Sequence, residues 1–157
     1  MNRKLILIIT GLTIMMFRSV SAQTIDDYLE VTREVLKTEK KAAVAEAMQL
    51  SETESGPFWE LYNEYNAELY KVHTERVNII KDFAANYETI TDVKADELLN
   101  RMLSYQTKLL SLNKSYYKKF KKVLPAGKVA RYFQIENKIE SLINAQLAEE
   151  IPLVETN

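Results

Sequence analysis

The sequence predicts an all-α protein of four helices, two of which are long enough to form an antiparallel helical hairpin. The chain has 157 residues, 46% hydrophobic and 27% charged, which is about the length of one domain and apolar enough to bury a core. It contains only 3 glycines and 3 prolines, too few to punctuate the turns of a β-sandwich or barrel. Apolar residues instead repeat at three- and four-residue intervals over long stretches, which is typical of helices.

The first 22 residues have the pattern of a secretory signal peptide. Arg3 and Lys4 precede an apolar stretch at residues 5–17, and small residues before Gln23 suit cleavage there. The apolar stretch is shorter than the ~20 residues that span a bilayer, and no later stretch qualifies. We therefore expect an exported, periplasmic protein whose mature chain, residues 23–157, is a single helical domain without a transmembrane segment. An uncleaved anchor helix is the alternative.

Local start and stop signals divide the mature chain into four helices. Ser51 and Glu54 have the spacing of a capping box, although Gly56-Pro57 suggests that the first turn is irregular or that the regular helix begins nearer Ser55. Pro125 ends the third helix. The predicted helices cover about residues 26–48, 51–87, 92–123 and 128–149.

Each predicted helix carries an apolar seam. The seam of the second helix, which Arg76 interrupts, consists of Phe58, Tyr62, Tyr65, Leu69, Val72, Ile80 and Phe83. That of the third helix consists of Leu98, Met102, Tyr105, Leu109, Leu112, Tyr116, Phe120 and Val123. The inward residues of the first and fourth helices include Ala43, Ala47, Leu50, Val129, Phe133, Ile139, Ile143 and Leu147.

Charge lies in blocks along the chain. Removal of residues 1–22 leaves 18 basic and 22 acidic residues, a net charge of −4 that argues against a nucleic-acid partner. Residues 98–135 nevertheless carry nine basic side chains and no acidic one. These are Arg101, Lys108, Lys114, Lys118, Lys119, Lys121, Lys122, Lys128 and Arg131.

The second and third helices present opposite charges on flanks that can face each other. At about 100° per residue, one basic edge of the third helix holds Arg101, Lys108, Lys119 and Lys122. The acidic flank of the second helix holds Glu60, Glu64, Glu68, Glu75 and Asp82. We expect ion pairs between this edge and this flank. Lys114, Lys118 and Lys121 point the other way, so their charge is available to a partner.

A second apolar stripe lies on the opposite flank of the second helix, formed by Trp59, Tyr70 and Val77. In one interpretation the first helix or a dimer partner covers it. In the other, it stays exposed beside the basic residues and binds unfolded segments through charge and adaptable apolar contacts. Both interpretations can hold for different parts of the surface.

The residue inventory argues against an enzyme and predicts neither a cofactor nor a metal site. The chain has no cysteine and one histidine, His73, so thiol catalysis, Cys-based zinc sites and the paired Glu-x-x-His ligands of di-iron bundles are excluded. Glu60, Glu64 and Glu68 recur at helical spacing, but such a row is usually a solvated helix face. No glycine-rich phosphate-binding loop occurs.

Two short segments with related spacing precede long helices. Leu50, Ser51 and Glu54 are followed by Phe58, and Leu124, Pro125 and Lys128 are followed by Tyr132 at the same distances. The placement of these two motif copies resembles that of the paired Leu-Thr-x-x-Gln motifs in Spy/CpxP-type periplasmic proteins, although neither copy keeps the Thr or the Gln. The resemblance covers essentially the whole mature chain.

The resemblance implies a non-enzymatic, ATP-independent chaperone or stress sensor that forms a homodimer and binds unfolded or envelope proteins. Two functions stay open at this point. One is a chaperone that holds many unfolded clients, and the other is a dedicated envelope-stress sensor or inhibitor that docks on one membrane signalling partner. The breadth of binding would discriminate between them.

Overall fold

A computed structural model of the chain describes residues 36–154. The described residues form four α-helices: α1, described over residues 36–48; α2, Glu52–Asn86; α3, Asp92–Phe120; and α4, Ala126–Glu150. A 3-10 turn, Tyr87–Thr89, follows α2. The all-α prediction is confirmed. The signal peptide and the predicted start of the first helix lie outside the described residues.

The structure shows which of the two predicted starts of α2 is correct. Ser51 is the N-cap and forms a capping box with Glu54, whose Oε2 accepts from the Ser51 backbone N–H at 2.8 Å. The alternative start near Ser55 is therefore wrong. Pro57 lies inside the helix in an exposed position, where its ring removes only one intrahelical hydrogen bond, to the carbonyl of Thr53.

The connection between α3 and α4 begins three residues earlier than predicted. Helix α3 ends at Phe120 rather than Val123, because the chain tightens into a turn in which Lys122 N donates to Lys119 O at 3.0 Å and Val123 N to Phe120 O at 3.1 Å. Helix α4 begins at Ala126, two residues before the predicted start. The carbonyl of Pro125 accepts from Val129 N at 3.1 Å, so the first turn forms directly after the proline.

Helices α2 and α3 pack against each other as an antiparallel hairpin across the short turn at residues 87–91. Phe58, Tyr62, Tyr65, Leu69 and Ile79 of α2 and Leu98, Tyr105, Tyr116 and Phe120 of α3 are buried. Eight of the predicted seam residues are thus buried, and one position on α2 is wrong. Ile79, not Ile80, is buried, because it clusters with Leu98 and Tyr105 of α3. The other predicted residues of the two seams are only partly buried: Val72, Phe83, Met102, Leu109, Leu112 and Val123.

Arg76, the charged residue within the predicted α2 seam, is half-buried. Its guanidinium carbon lies 5.9 Å from the centroid of the Tyr105 ring. A guanidinium placed over an aromatic face is attracted by the ring quadrupole. Arg76 thus packs within the seam and does not interrupt it.

The chain divides into two compact units, which are described separately. The hairpin, with residues 51–129, belongs to one. The other contains residues 36–50 and 130–152, in which Val44, Met48, Tyr132 and Ile139 are buried and Lys40 Nζ lies 2.7 Å from Glu136 Oε2. Val44 and Met48 replace the predicted Ala43 and Ala47 as the buried residues of α1, and Tyr132 is buried more deeply than Phe133. Neighbouring positions lie about 100° apart on a helix, and the larger side chain takes the inner one.

Candidate binding surface

Three ion pairs join the acidic flank of α2 to the basic edge of α3. Lys119 Nζ lies 3.3 Å from Glu64 Oε2, Lys108 Nζ lies 2.8 Å from Glu75 Oε2, and Arg101 pairs with Asp82. The residue number falls on α2 as it rises on α3, as an antiparallel pair requires. The predicted pairing is confirmed for these three cations. Their charge is therefore engaged within the hairpin and contributes little to a binding surface.

The pair at the turn end of the hairpin belongs to a network of four charged side chains. Asp82 Oδ2 accepts from Lys94 Nζ at 2.9 Å as well as from Arg101, while Glu97 contacts Lys94 at 3.0 Å and Arg101 at 3.1 Å. Lys94, and then Arg101, hold the pKa of Asp82 below its usual value through hydrogen bonds to the carboxylate. The same two cations lower the pKa of Glu97.

Lys119 is held by two different contacts. Besides Glu64, its Nζ lies 4.2 Å from the centroid of the Tyr116 ring. The hydrogen bond to Glu64 raises the pKa of Lys119. Lys119 is therefore a structural cation of the hairpin.

Four other lysines among the nine basic residues at 98–135 are exposed: Lys114, Lys118, Lys121 and Lys122. Within residues 36–154, no carboxylate forms an ion pair with any of them. Lys121 Nζ lies 5.4 Å from the centroid of the Tyr117 ring. Lys122 does not continue the basic edge as predicted, because α3 has already ended and Lys122 lies in the turn. Lys128 pairs with Glu54, and Arg131 is exposed in the other unit.

An exposed apolar stripe runs along α3 next to these lysines. Leu99, Leu103, Leu110 and Tyr117 are 58%, 51%, 54% and 45% exposed. Their spacing of four, seven and seven residues confines them to a sector of about 40° on the helix. Lys114 and Lys121 flank the same sector. We call these eight residues, the stripe with Lys114, Lys118, Lys121 and Lys122, the α3 outer surface.

Sequence reasoning missed this stripe although its spacing was visible. The sequence analysis predicted a single apolar face on this helix, the seam that packs against α2, and the four residues of the stripe lie outside that seam. The exposed fractions of the three leucines identify the stripe.

The stripe predicted on α2 is only partly exposed. The Trp59 ring packs edge-on against Phe58 and Tyr62, with centroids 5.0 and 5.1 Å apart, and Trp59 is half-buried. Val77 is half-buried and Tyr70 is exposed. The three residues therefore do not form a continuous exposed face.

The two motif copies occupy equivalent positions in the fold. Ser51 and Pro125 each directly precede the first residue of a helix, and the aromatic residues that follow, Phe58 and Tyr132, are both fully buried. Glu54 and Lys128, the fifth residues of the two copies, form an ion pair with each other. Lys128, together with the Ser51 backbone N–H, lowers the pKa of Glu54. Leu124 is buried and Leu50 half-buried.

His73 and two members of the glutamate row of α2 contact neighbouring side chains of the hairpin. His73 Nδ1 lies 3.1 Å from the Tyr105 hydroxyl, and Glu64 and Glu68 contact Lys119 and Lys71. No group of three or more potential metal-ligating side chains occurs in the described part of the chain. None of the helices within residues 36–154 is long and apolar enough to cross a membrane.

Comparisons of the chain with protein-family models, with curated proteins and with solved structures find no match. Functional inference therefore rests on the residues of the chain and their arrangement.

Proposed function

We propose that this protein is an exported, ATP-independent chaperone that holds unfolded clients on the α3 outer surface and lacks enzymatic activity. The resemblance of the motif copies to those of Spy/CpxP-type proteins and the signal-peptide pattern support a periplasmic location for this activity. The observation that carries the proposal is the juxtaposition of an exposed apolar stripe with lysines that make no ion pair in the described part of the chain.

This juxtaposition suits a ligand without a fixed shape. Apolar contact is non-directional, so leucine side chains accept many different segments of an unfolded chain. Lysine carries its charge on a long flexible stem and can reach carboxylates at different positions. Clients rich in acidic residues should therefore bind best, first through charge and then through apolar contact.

The electrostatic part of binding is tested with the mature chain and a salt series. We would measure the suppression of aggregation of one acidic and one basic unfolded client, with wild-type protein and with the variant Lys114→Gln/Lys118→Gln/Lys121→Gln. The wild type should favour the acidic client, and its advantage should fall as salt rises past ~0.15 M, where the screening length is ~8 Å. The variant should lose most of the advantage at low salt.

The control variant Lys41→Gln/Lys71→Gln/Lys138→Gln removes the same total charge from exposed positions outside α3. It should behave like the wild type if the position of the lysines matters. Leu99→Ser/Leu103→Ser/Leu110→Ser should reduce the activity that remains at high salt, because these side chains supply the apolar contact.

Equal activity of the wild type and the α3 lysine variant toward both clients at all salt concentrations would overturn the electrostatic mechanism. Absence of suppression for every client, together with cross-linking to one envelope protein, would replace the chaperone with the dedicated sensor or inhibitor.

A further inference from the structure

The second half of the α3 outer surface combines exposed apolar groups with positive charge alone. It holds five exposed residues: Leu110, Lys114, Tyr117, Lys118 and Lys121. They lie within about 16 Å of helix length and a sector about 100° wide, at 1.5 Å and 100° per residue. No acidic residue occurs between positions 98 and 135. We call these five residues the lysine half of the surface.

The paired carboxylates of the hairpin lie on the side away from the lysine half. The acidic flank of α2 pairs with the opposite edge of α3, about 170° round the helix from the exposed leucines. Asp92 and Asp96 lie on the same side of α3 as the leucines, but in its first two turns. About 21 Å of helix separates Asp96 from Leu110, which exceeds twice the screening length of ~8 Å at ~0.15 M salt. The lysines therefore act on a partner largely without opposition from these carboxylates.

A helix that lies on a membrane surface has the same arrangement of side chains. Its apolar residues enter the boundary between headgroups and acyl chains, and the lysines beside them attract anionic lipids. The aliphatic stem of a lysine can run along an apolar surface while its ammonium group stays in the polar layer. Tyrosine is enriched at the level of the headgroups, and Lys121 Nζ lies 5.4 Å from the centroid of the Tyr117 ring. The lysine half thus carries each kind of side chain that this boundary accepts.

We propose that the lysine half docks on the surface of a bilayer that contains anionic lipids. Leu110 and Tyr117 enter the lipid at the headgroup boundary, and the three lysines contact negatively charged headgroups. Repulsion keeps Asp92 and Asp96 away, so α3 is tilted with its first two turns further from the lipid. A bilayer is a different partner from an unfolded client, and docking does not depend on client binding. The two partners use the same residues and therefore compete.

Vesicle binding tests the role of charge. The mature chain is used, because the apolar stretch at residues 5–17 would itself enter lipid. We would measure flotation with vesicles of equimolar phosphatidylglycerol and phosphatidylcholine, and with vesicles of phosphatidylcholine alone. The wild type should bind the anionic vesicles far better. Lys114→Gln/Lys118→Gln/Lys121→Gln should lower the partition coefficient about 100-fold at low salt, since each lysine near an anionic surface contributes about fivefold.

A matched control separates the position of the lysines from the net charge. Lys41→Gln/Lys71→Gln/Lys138→Gln removes the same charge from exposed positions outside α3 and should bind like the wild type. Circular-dichroism melts would verify that both variants are folded. Equal affinity of the wild type and the α3 lysine variant for anionic vesicles would overturn the inference, and so would equal affinity of the wild type for anionic and neutral vesicles.

Attached fluorophores test which part of α3 enters the lipid. The chain has no cysteine, so an environment-sensitive dye can be attached at Leu110→Cys, Leu99→Cys or Ala67→Cys. Ala67 is exposed on α2, about 170° round that helix from its seam. Anionic vesicles should shift the emission to the blue at Leu110→Cys, less at Leu99→Cys and not at Ala67→Cys. Equal shifts at Leu110→Cys and Leu99→Cys would overturn the tilted orientation.

Inorganic polyphosphate serves as the soluble source of negative charge. It offers no apolar layer, so it should bind more weakly than anionic vesicles and leave the emission at Leu110→Cys unshifted. Tighter binding to polyphosphate, with no shift on vesicles, would overturn docking on a bilayer and assign the lysines to a soluble polyanion.

Vesicle binding and client binding can fail separately. Anionic vesicles, but not neutral ones, should reduce the suppression of aggregation by the wild type. Vesicle binding by a protein that suppresses no aggregation would support docking and overturn the proposed chaperone. Suppression of aggregation by a protein that does not bind anionic vesicles would overturn docking and leave the chaperone standing.

Discussion

The two ends of the α2–α3 hairpin are held together by different means. At the end nearest the motif copies, aromatic rings fill the interface: the centroids of Phe58 and Phe120 are 5.6 Å apart, and those of Tyr65 and Tyr116 are 5.1 Å apart. At the turn end, a smaller cluster of Ile79, Leu98 and Tyr105 lies beside the charged network of Asp82. One pair of helices thus contains a region dominated by aromatic burial and a region in which a smaller apolar cluster lies beside a four-membered charged network.

The difference follows from how completely each region excludes water. Phe58 and Phe120 are fully buried. The side chains packed around the turn-end cluster, which are Val72, Phe83, Ile90, Met102 and Leu109, are only partly buried. Apolar stabilisation scales with the area removed from water, so the motif end contributes more per residue. We expect it to be the last part of the hairpin to unfold.

The largest expected effect is that of Phe120→Ala. Truncation of a fully buried phenylalanine removes its contacts and leaves a cavity, so the free energy of unfolding should fall by about 3–5 kcal/mol. Ile79→Ala at the turn end removes fewer atoms and should cost about 2–3 kcal/mol. Denaturant unfolding followed by circular dichroism measures both values. An equal or larger loss for Ile79→Ala would contradict the proposed difference between the two ends.

A smaller effect is expected from removing one hydroxyl at each end. The Tyr65 hydroxyl donates to Asn113 Oδ1 at 2.7 Å, and the Tyr105 hydroxyl lies 3.1 Å from His73 Nδ1. Tyr65→Phe leaves a half-buried amide oxygen without this donor and should lower the free energy of unfolding by about 1 kcal/mol. Tyr105→Phe should cost less because its hydrogen bond is longer. The same denaturation experiment would contradict this order if Tyr105→Phe proved the more costly change.

The smallest effect at neutral pH, and the one most specific to the turn end, is expected at Asp82. Its folded-state pKa lies below the ordinary 3.8, and that of Glu97 below 4.5, so both carboxylates stabilise the fold above these values and lose this contribution as pH falls through their folded-state pKa values. Hydrogen-exchange protection at the turn end should therefore decrease below about pH 4. The motif end also holds a carboxylate with a lowered pKa, Glu54, but its loss should be smaller because the aromatic packing there does not depend on pH.

Asp82→Asn should make the turn end less sensitive to acid, whereas the control Glu60→Gln, which changes an exposed carboxylate outside the network, should not. Because exposed ion pairs contribute little to stability, the change in the neutral-pH melting temperature should be slight. A loss of protection at the motif end equal to that at the turn end on acidification would show that the network does not set the stability of the turn end.

Local signals in the sequence predicted most of the fold. The start of α3 at Asp92 was anticipated, and there the Thr91 side chain accepts from Lys94 N at 3.3 Å. The end of α3 was not, because the apolar repeat continues to Val123 while the backbone already turns after Phe120. Side-chain periodicity does not record where the backbone hydrogen bonds change from one pattern to another.

The sequence predicted which face of each helix is buried better than it predicted which single residue on that face is buried. Ala43 and Val44, or Ile79 and Ile80, are neighbours on a helix, and the pattern of one helix does not say which of the two faces its partner. For the binding surface, opposite charges on facing flanks predicted the interhelical ion pairs. The exposed leucines of α3 were missed because exposure depends on what the rest of the chain covers, and an apolar repeat looks the same whether it is covered or not.

The ion pair between Glu54 and Lys128 restricts which side chains the two motif copies can carry at this position. The pair joins the fifth residue of one motif copy to the fifth residue of the other. If the two copies carried the same residue at this position, two identical side chains would have to pair with each other. Glutamine can, because its amide both donates and accepts, whereas two glutamates or two lysines repel. With opposite charges in place, Glu54→Lys or Lys128→Glu alone would bring like charges together. A single substitution that makes the two copies identical in charge at this position would therefore replace an attraction with a repulsion, so the two copies are not interchangeable here.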